Sequence, residues 1–185
     1  MNGRASGSRL VRRGICHVLG DNVPLDDGVI PRRFAAGRVT DPQLLVPHLF
    51  ETLDSGFAAR VKPGDVLLAG SNFACGKPRL QGFIAMEALD LAIICVSMPY
   101  KMIRRAVARA IPVIVGATDS HAIATTGDDL EIDFATGLLW NHSRDSQIVV
   151  PPMPTILCDI VASGGMQAAL KDWLERHPEQ ALPPG

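Results

Sequence analysis

The sequence predicts an α/β fold in which short parallel strands alternate with helices. Three observations carry that expectation. Asp65 to Ala69 and Leu91 to Val96 are brief runs, apolar apart from the leading Asp65, of the kind that fill a buried parallel sheet. Each is followed by a helix-forming stretch, Gln81 to Leu89 and Pro99 to Ala110, and a third apolar run, Pro112 to Val115, comes next. Beyond these, Asp129 to Phe134 alternates Leu130, Ile132 and Phe134, as a half-exposed strand does, and turns at Ala135-Thr136-Gly137 into Leu138 to Asn141.

The remaining elements follow in order. Residues 1–13 are rich in Gly, Ser and Arg and read as a disordered tail, with no apolar signal core behind the charges. Gly14 to Leu19 alternates weakly and reads as the first strand. Residues 20–31 form a long loop of turn residues with Asp26 and Asp27 at its middle, either a solvated turn or the lining of a site. Arg32, Arg33 and Arg38 crowd the next segment. Thr40-Asp41-Pro42 starts a helix expected to run to about Leu53, with Leu45, Leu49 and Leu53 on one face, and residues 54–61 connect it to the next strand. Ser146 to Val150 is a further strand stopped by Pro151-Pro152. Thr155 to Ala162 is an apolar helix ending at Gly164-Gly165, and Met166 to Arg176 is a last amphipathic helix. Residues 14–177 are read as one domain and 178–185 as a loose tail.

Bulk properties exclude several classes. A chain of 185 residues with 47% hydrophobic and 20% charged residues suits one globular domain. A formal net charge of −1 and 5% aromatic content give no reason to expect nucleic acid or an anionic membrane as partner. No apolar run reaches the length of a membrane span. Cys16, Cys75, Cys95 and Cys158 lie far apart, with no zinc-type spacing, which reads as free thiols in a cytoplasmic protein that binds no metal or iron–sulfur cluster by itself.

The most informative stretch is Gly70-Ser71-Asn72-Phe73-Ala74-Cys75-Gly76-Lys77-Pro78-Arg79, a glycine-bearing connection from strand to helix. Such connections aim backbone N–H groups and a helix N-terminus at one point, which suits an anion. A phosphate-binding P-loop fails on spacing, because Ser71 stands where the first glycine belongs and Pro78 replaces the magnesium-binding hydroxyl. A purely structural turn would put Pro78 at the first helical position, but gives no reason for a cation beside a positive helix end, which costs roughly 0.3–1 kcal/mol. A carboxylate site with Arg79 as its two-pronged donor accounts for the cations.

At this point the residues resemble a known family, the small subunits of 3-isopropylmalate dehydratase. Gly20-Asp21-Asn22-Val23 with Asp27 and Ile30-Pro31 is similar to the family's GDN-I-x-T-D-x-I-x-P opening. Val61-Lys62-Pro63-Gly64-Asp65 and Ala69-Gly70-Ser71-Asn72-Phe73-Ala74-Cys75-Gly76 resemble its VKPGDIIVAGKNFGCG. Ser97 to Pro112 matches in length its segment ending IGLP, and Ile160 to Met166 resembles IIKAGGL. The likeness spans about residues 14–177. It implies the swivelling β/β/α domain of the aconitase superfamily. It also implies a separate large subunit carrying a four-iron four-sulfur cluster, and dehydration or hydration of a small hydroxy di- or tricarboxylic acid. In that arrangement the small subunit supplies a base and a carboxylate-gripping arginine.

The chain departs from the family where the chemistry lies. The family turn continues G-S-S-R-E-H; here Gly76 is followed by Lys77, Pro78, Arg79 and Leu80. The arginine is kept. The serine that acts as base is Lys77, and the second serine is Pro78, which removes a hydroxyl and an N–H. Two family asparagines in the later helix align with Arg105 and Ala108. Three readings stand for Lys77: it replaces the serine as base, it is a second charge clamp, or the subunit no longer performs the dehydratase chemistry. A non-catalytic assembly or regulatory subunit is the alternative function. The resemblance implies a catalytic pair, Lys77 and Arg79. It implies a substrate surface of Asn72, Cys75, Gly76, Pro78 and Arg105, with Asp26 and Asp27 orienting the basic groups. Phe34 and Arg38 bracket the segment matching the family's specificity loop, where an arginine among small residues favours a substrate with an extra anionic or polar group.

Overall fold

The computed structural model describes residues 9–118, 122 and 124–180. Of the expected tails, 1–13 and 178–185, residues 1–8 and 181–185 lie outside the described residues, and Pro178–Gln180 forms a 3-10 turn. One seven-stranded sheet organises the rest, in the order β4-β3-β2-β1-β5-β6-β7. Its parallel half comprises β1 (Val11–Leu19), β2 (Val66–Ala69), β3 (Ala92–Cys95) and β4 (Val113–Val115). Its antiparallel half adds β5 (Asp129–Asp133), β6 (Leu138–Asn141) and β7 (Ser146–Val149).

Strand β1 belongs to both halves. Val11 to Ile15 pairs antiparallel with β5, and Cys16 to Leu19 pairs parallel with β2. The division is enforced locally. A Cβ at Gly14 would come within 2.5 Å of the Gly64 carbonyl oxygen, so only glycine admits the Gly64-Asp65 turn there. The buried Asp65 carboxylate then accepts from the Ile15 N–H (3.0 Å), the Lys62 N–H (2.8 Å) and His17 Nε2 (2.8 Å). One carboxylate therefore ties the start of β2 to the point where β1 changes partners.

Strand β1 starts three residues before the expected Gly14, so Val11, Arg12 and Arg13 belong to the sheet and not to a tail. Arg12 is buried and pairs with Asp90, while Arg13 pairs with Asp129 of β5. Cationic side chains hid the strand from a reading that looks for apolar runs.

Side chains alternate across the sheet and fill two cores. Leu67, Ala69, Ile93 and Cys95 pack on one face with Leu45, Leu49, Phe50, Phe57, Phe73 and Phe83. Val66, Leu68, Ala92, Ile94 and Ile114 pack on the other with Leu130, Ile132, Phe134 and Leu139 of the antiparallel half, plus Cys158 and Val161. The helices are α1 (Arg32–Ala36), α2 (Pro42–Leu45), α3 (Phe57–Arg60), α4 (Gln81–Ala88), α5 (Tyr100–Ala108), α6 (Thr155–Ser163) and α7 (Met166–Arg176). Helix α3 lies in the segment expected to be a connector, and α1 in the arginine-rich segment for which no element was expected. No helix among the described residues is long and apolar enough to cross a membrane.

The helix expected from Thr40 to Leu53 is only α2, followed by a 3-10 turn, Val46–His48. Asp41 caps it as expected, accepting from the Gln43 N–H at 2.9 Å. Pro47 has no N–H to continue the ladder, and Phe50 turns left-handed at φ 56°. The leucine spacing persists because the turn still buries Leu45 and Leu49, whereas Leu53 is exposed.

Candidate active site

Parallel pairing brings the C-terminal ends of β1, β2 and β3 to one edge, and the loops that follow them meet there. Residues 20–26 and 70–79 run side by side. The Asn22 N–H donates to the Ser71 carbonyl (2.8 Å), Cys75 N–H to Val23 (3.2 Å) and Leu25 N–H to Cys75 (2.9 Å). Asp21 Oδ1 accepts from the Ser71 N–H at 2.6 Å. A Cβ on Gly70 would sit 2.0 Å from that oxygen and 3.0 Å from the Asp21 backbone nitrogen, so a larger residue would push the Asp21 carboxylate off the Ser71 N–H. The third loop joins through Ser97, whose Oγ accepts from the Asn72 N–H (2.8 Å) and whose carbonyl accepts from the Phe73 N–H (2.9 Å).

Backbone strain concentrates in the same place. Asn22 (φ 54°), Asn72 (φ 58°), Ala74 (φ 57°) and Gly76 (φ 90°) are all left-handed. Asn72 donates from Nδ2 to Asn22 Oδ1 at 3.0 Å, which fixes both amides across the loop pair. Ala74 is fully buried, so its methyl group fills the core while its backbone bends the turn outward.

The connection differs from expectation at its far end. Helix α4 starts at Gln81 behind Leu80, so Pro78 is not at its first position and Lys77 stands four residues ahead of it. The cost assigned to a cation at a helix N-terminus therefore does not fall on Lys77. Instead the Arg79 N–H closes a tight turn on the Lys77 carbonyl at 2.8 Å. Lys77 and Pro78 are exposed, and Lys77 makes no side-chain hydrogen bond or ion pair among the described residues.

Arg79 is half-buried and held by Asp26. Its Nε lies 3.4 Å from Oδ2 and 3.3 Å from Oδ1, and Oδ1 is buried with no hydrogen bond among the described residues. That contact occupies Nε and leaves the terminal nitrogens without a partner among the described residues, so the two-pronged edge is open to a carboxylate. Asp27 does not reach the cations with its side chain. Its Oδ1 accepts from the Arg32 N–H at 2.8 Å and fixes the entry to α1.

Phe34 is half-buried between Arg33 (4.7 Å to the ring centroid) and His48 (ring centroids 4.8 Å). Arg38 is exposed at φ 51°, with no side-chain partner among the described residues. Its neighbour Val39 accepts from Gln81 Nε2 at 3.2 Å, which ties this segment to the start of α4 just beyond Arg79. Arg105 makes no side-chain hydrogen bond or ion pair with these loops among the described residues. It lies in the last turn of α5, about 8 Å along the axis from Tyr100 at the site end.

Asp21, Asn22 and Ser97 position the loops and received no role in the sequence reading. Asp21 and Asn22 stood within a quoted motif, which was the available signal. Ser97 carried none, since only the parallel register places it beside Asn72.

Among the described residues no three His, Cys, Asp or Glu side chains gather as a metal site. Cys16, Cys95 and Cys158 are buried apart from one another, and burial pushes the Cys16 and Cys95 thiols up to about 12 and raises Cys158. Only Cys75, half-buried in the turn, lies at the site. These residues do not fit an iron–sulfur cluster in this chain.

No protein-family model matches the chain. It is 31% identical over 158 residues to the 3-isopropylmalate dehydratase small subunit of Moorella thermoacetica, covering 85% of this chain and 93% of that one. It is 30% identical over 168 residues to that of Caldicellulosiruptor saccharolyticus, covering 90% and 95%. The chain belongs to the 3-isopropylmalate dehydratase small-subunit family. Membership makes it a hydro-lyase subunit and does not favour the non-catalytic alternative. A crystal structure of 3-isopropylmalate dehydratase from Methanocaldococcus jannaschii superposes with a TM-score of 0.83 at 29% identity, over 92% of this chain and 99% of that one. The expected swivelling β/β/α domain of the aconitase superfamily is therefore the fold of this small-subunit chain.

Proposed function

We propose that this chain is the substrate-gripping half of a shared active site that dehydrates or hydrates a small hydroxy di- or tricarboxylic acid. The observation that carries the reading is the Asp26–Arg79 pair, which holds the guanidinium with its two-pronged edge free beside Lys77. Arg79 grips a substrate carboxylate. Lys77 stands in for the family's serine base and takes the proton alpha to that carboxylate. Asn72, Cys75, Gly76 and Pro78 shape the floor through the strained turn. Asp27 sets the path of the segment from Phe34 to Arg38, which selects the substrate's variable group. Arg38, exposed beside small residues, favours an additional anionic or polar group over an isopropyl group.

The partner is a large subunit that brings a four-iron four-sulfur cluster and closes over the exposed turn. When bound there, the cluster supplies a Lewis acid for the substrate hydroxyl. Closure also gives Lys77 the desolvation that a lysine needs to act as a base, which this chain alone does not provide. Three buried free thiols support a reducing compartment, the cytoplasm. A net charge of −1 gives no reason to add nucleic acid or an anionic membrane as a partner.

The test is the kinetics of the assembled complex. Arg79→Lys keeps the charge but loses the fork, and is expected to raise KM by about tenfold or more. Unaltered KM and turnover would remove the clamp. Lys77→Ala is expected to lower kcat by about 10²–10⁴-fold. Turnover within a few-fold of the unmodified complex would leave Lys77 as a charge clamp only.

A further inference from the structure

Helix α5 carries a feature that the site does not use. Tyr100, Lys101, Arg104 and Arg105 share its outer face, while Met102, Ala106 and Val107 are buried. Tyr100 is 71% exposed, and Arg104 lies over its ring at 5.8 Å. Lys101, Arg104 and Arg105 have no ion-pair partner among the described residues. No acidic residue occupies the first turn, where Lys101 sits against the helix dipole, and Lys101 and Arg105 are like charges one turn apart. Lys101 therefore opposes the helix it stands on, whereas Arg105, in the last turn, suits the dipole; the three cations cluster in a chain whose net charge is only −1.

Its position gives the reason. Ser97 binds the backbone of Asn72 and Phe73, and α5 begins three residues later, so Tyr100 stands on the rim of the site loops. Whatever closes over the turn at Lys77 meets the start of α5 next. We infer that the Tyr100 end of α5 is a docking surface for an acidic patch of the large subunit. Tyr100 is the aromatic anchor and Lys101 and Arg104 are the steering charges. The inference rests on the shared-site reading above, through continuity with the surface that the partner covers.

The experiment measures the dissociation constant of the purified chain for its large subunit by titration calorimetry, at low and high salt. Tyr100→Ala is expected to weaken association at least tenfold at either salt. Lys101→Glu with Arg104→Glu is expected to weaken it at least tenfold at low salt and to flatten the salt dependence, and the milder pair Lys101→Gln with Arg104→Gln to do so partly. Lys171→Glu, on the exposed face of α7, should change affinity less than twofold. Affinities within twofold of the unmodified chain for the Tyr100 and α5 charge variants, with melting temperatures retained, overturn the inference. So does a raised KM at unchanged affinity, which would assign the cations to substrate. If the unmodified chain binds no large subunit, the shared-site reading fails first and the inference falls with it.

Discussion

Arg79 shows how a single side chain is prepared for work. Its Nε lies 3.3–3.4 Å from the Asp26 carboxylate, which restrains the guanidinium, while the terminal nitrogens have no partner among the described residues. Asp26→Ala should therefore raise KM nearly as much as Arg79→Lys while leaving the chain folded, which steady-state kinetics and a melting curve separate. Cys75 offers a second check. The Cys16 and Cys95 thiols are buried with pKa values near 12, so they are inert at neutral pH, whereas Cys75 is half-buried at the site. A thiol reagent at pH 8 should label Cys75 first, and a bound dicarboxylate should slow that labelling in the complex. At Ala74, glycine would remove roughly 1–2 kcal/mol of left-handed strain but lose a buried methyl worth about 0.8 kcal/mol and add about 0.5–1 kcal/mol of backbone freedom. Ala74→Gly should therefore change stability by less than about 1 kcal/mol in a denaturant melt, whereas Ala74→Val should be strongly destabilising. At this scale a motif singles out Arg79 and Lys77 as candidates, and the fold sets them on one exposed turn. Ser97 and Asp21 were illegible because a lone polar residue after a strand acquires meaning only once the strands are aligned.

At the scale of elements, β1 decides how the two halves of the sheet meet, and Asp65 is its fastener. Asp65→Ala would leave two N–H groups and the buried His17 Nε2 without their acceptor, a loss of about 3 kcal/mol or more. Thermal melting should register it as a fall of about 6–12 °C. Acid should also loosen the outer elements. Arg13 holds Asp129 below the usual carboxylate range, and Arg60 does the same for Asp54. A lowered folded-state value means stability that is present above the unfolded value of about 4 and is lost as pH falls through the lower folded value. Stability should be level from pH 7 to 5 and decline below about pH 4, more shallowly in Asp129→Asn. The apolar runs at β2, β3 and β4 made those strands plain in the sequence. Leu45, Leu49 and Leu53 keep helical spacing across Pro47, so the pattern overstates α2, and Arg12 and Arg13 disguise sheet as tail, so it understates β1.

For the whole molecule, a parallel sheet presents three loops at one edge while the antiparallel half closes the second core away from it. That division leaves Lys77, Arg79 and the Tyr100 end of α5 at or beside one exposed edge, with no metal-ligating cluster among the described residues. On the proposed division of labour between the two subunits, turnover requires both chains. The most direct measurement is reconstitution: this chain, a separately purified large subunit loaded with iron and sulfide, and the two together, each assayed for hydration of an unsaturated dicarboxylic acid by loss of ultraviolet absorbance. The account predicts no turnover from either chain and turnover from the mixture, abolished or greatly reduced by Lys77→Ala. A stable complex of the two chains that turns over no hydroxy or unsaturated acid would contradict it.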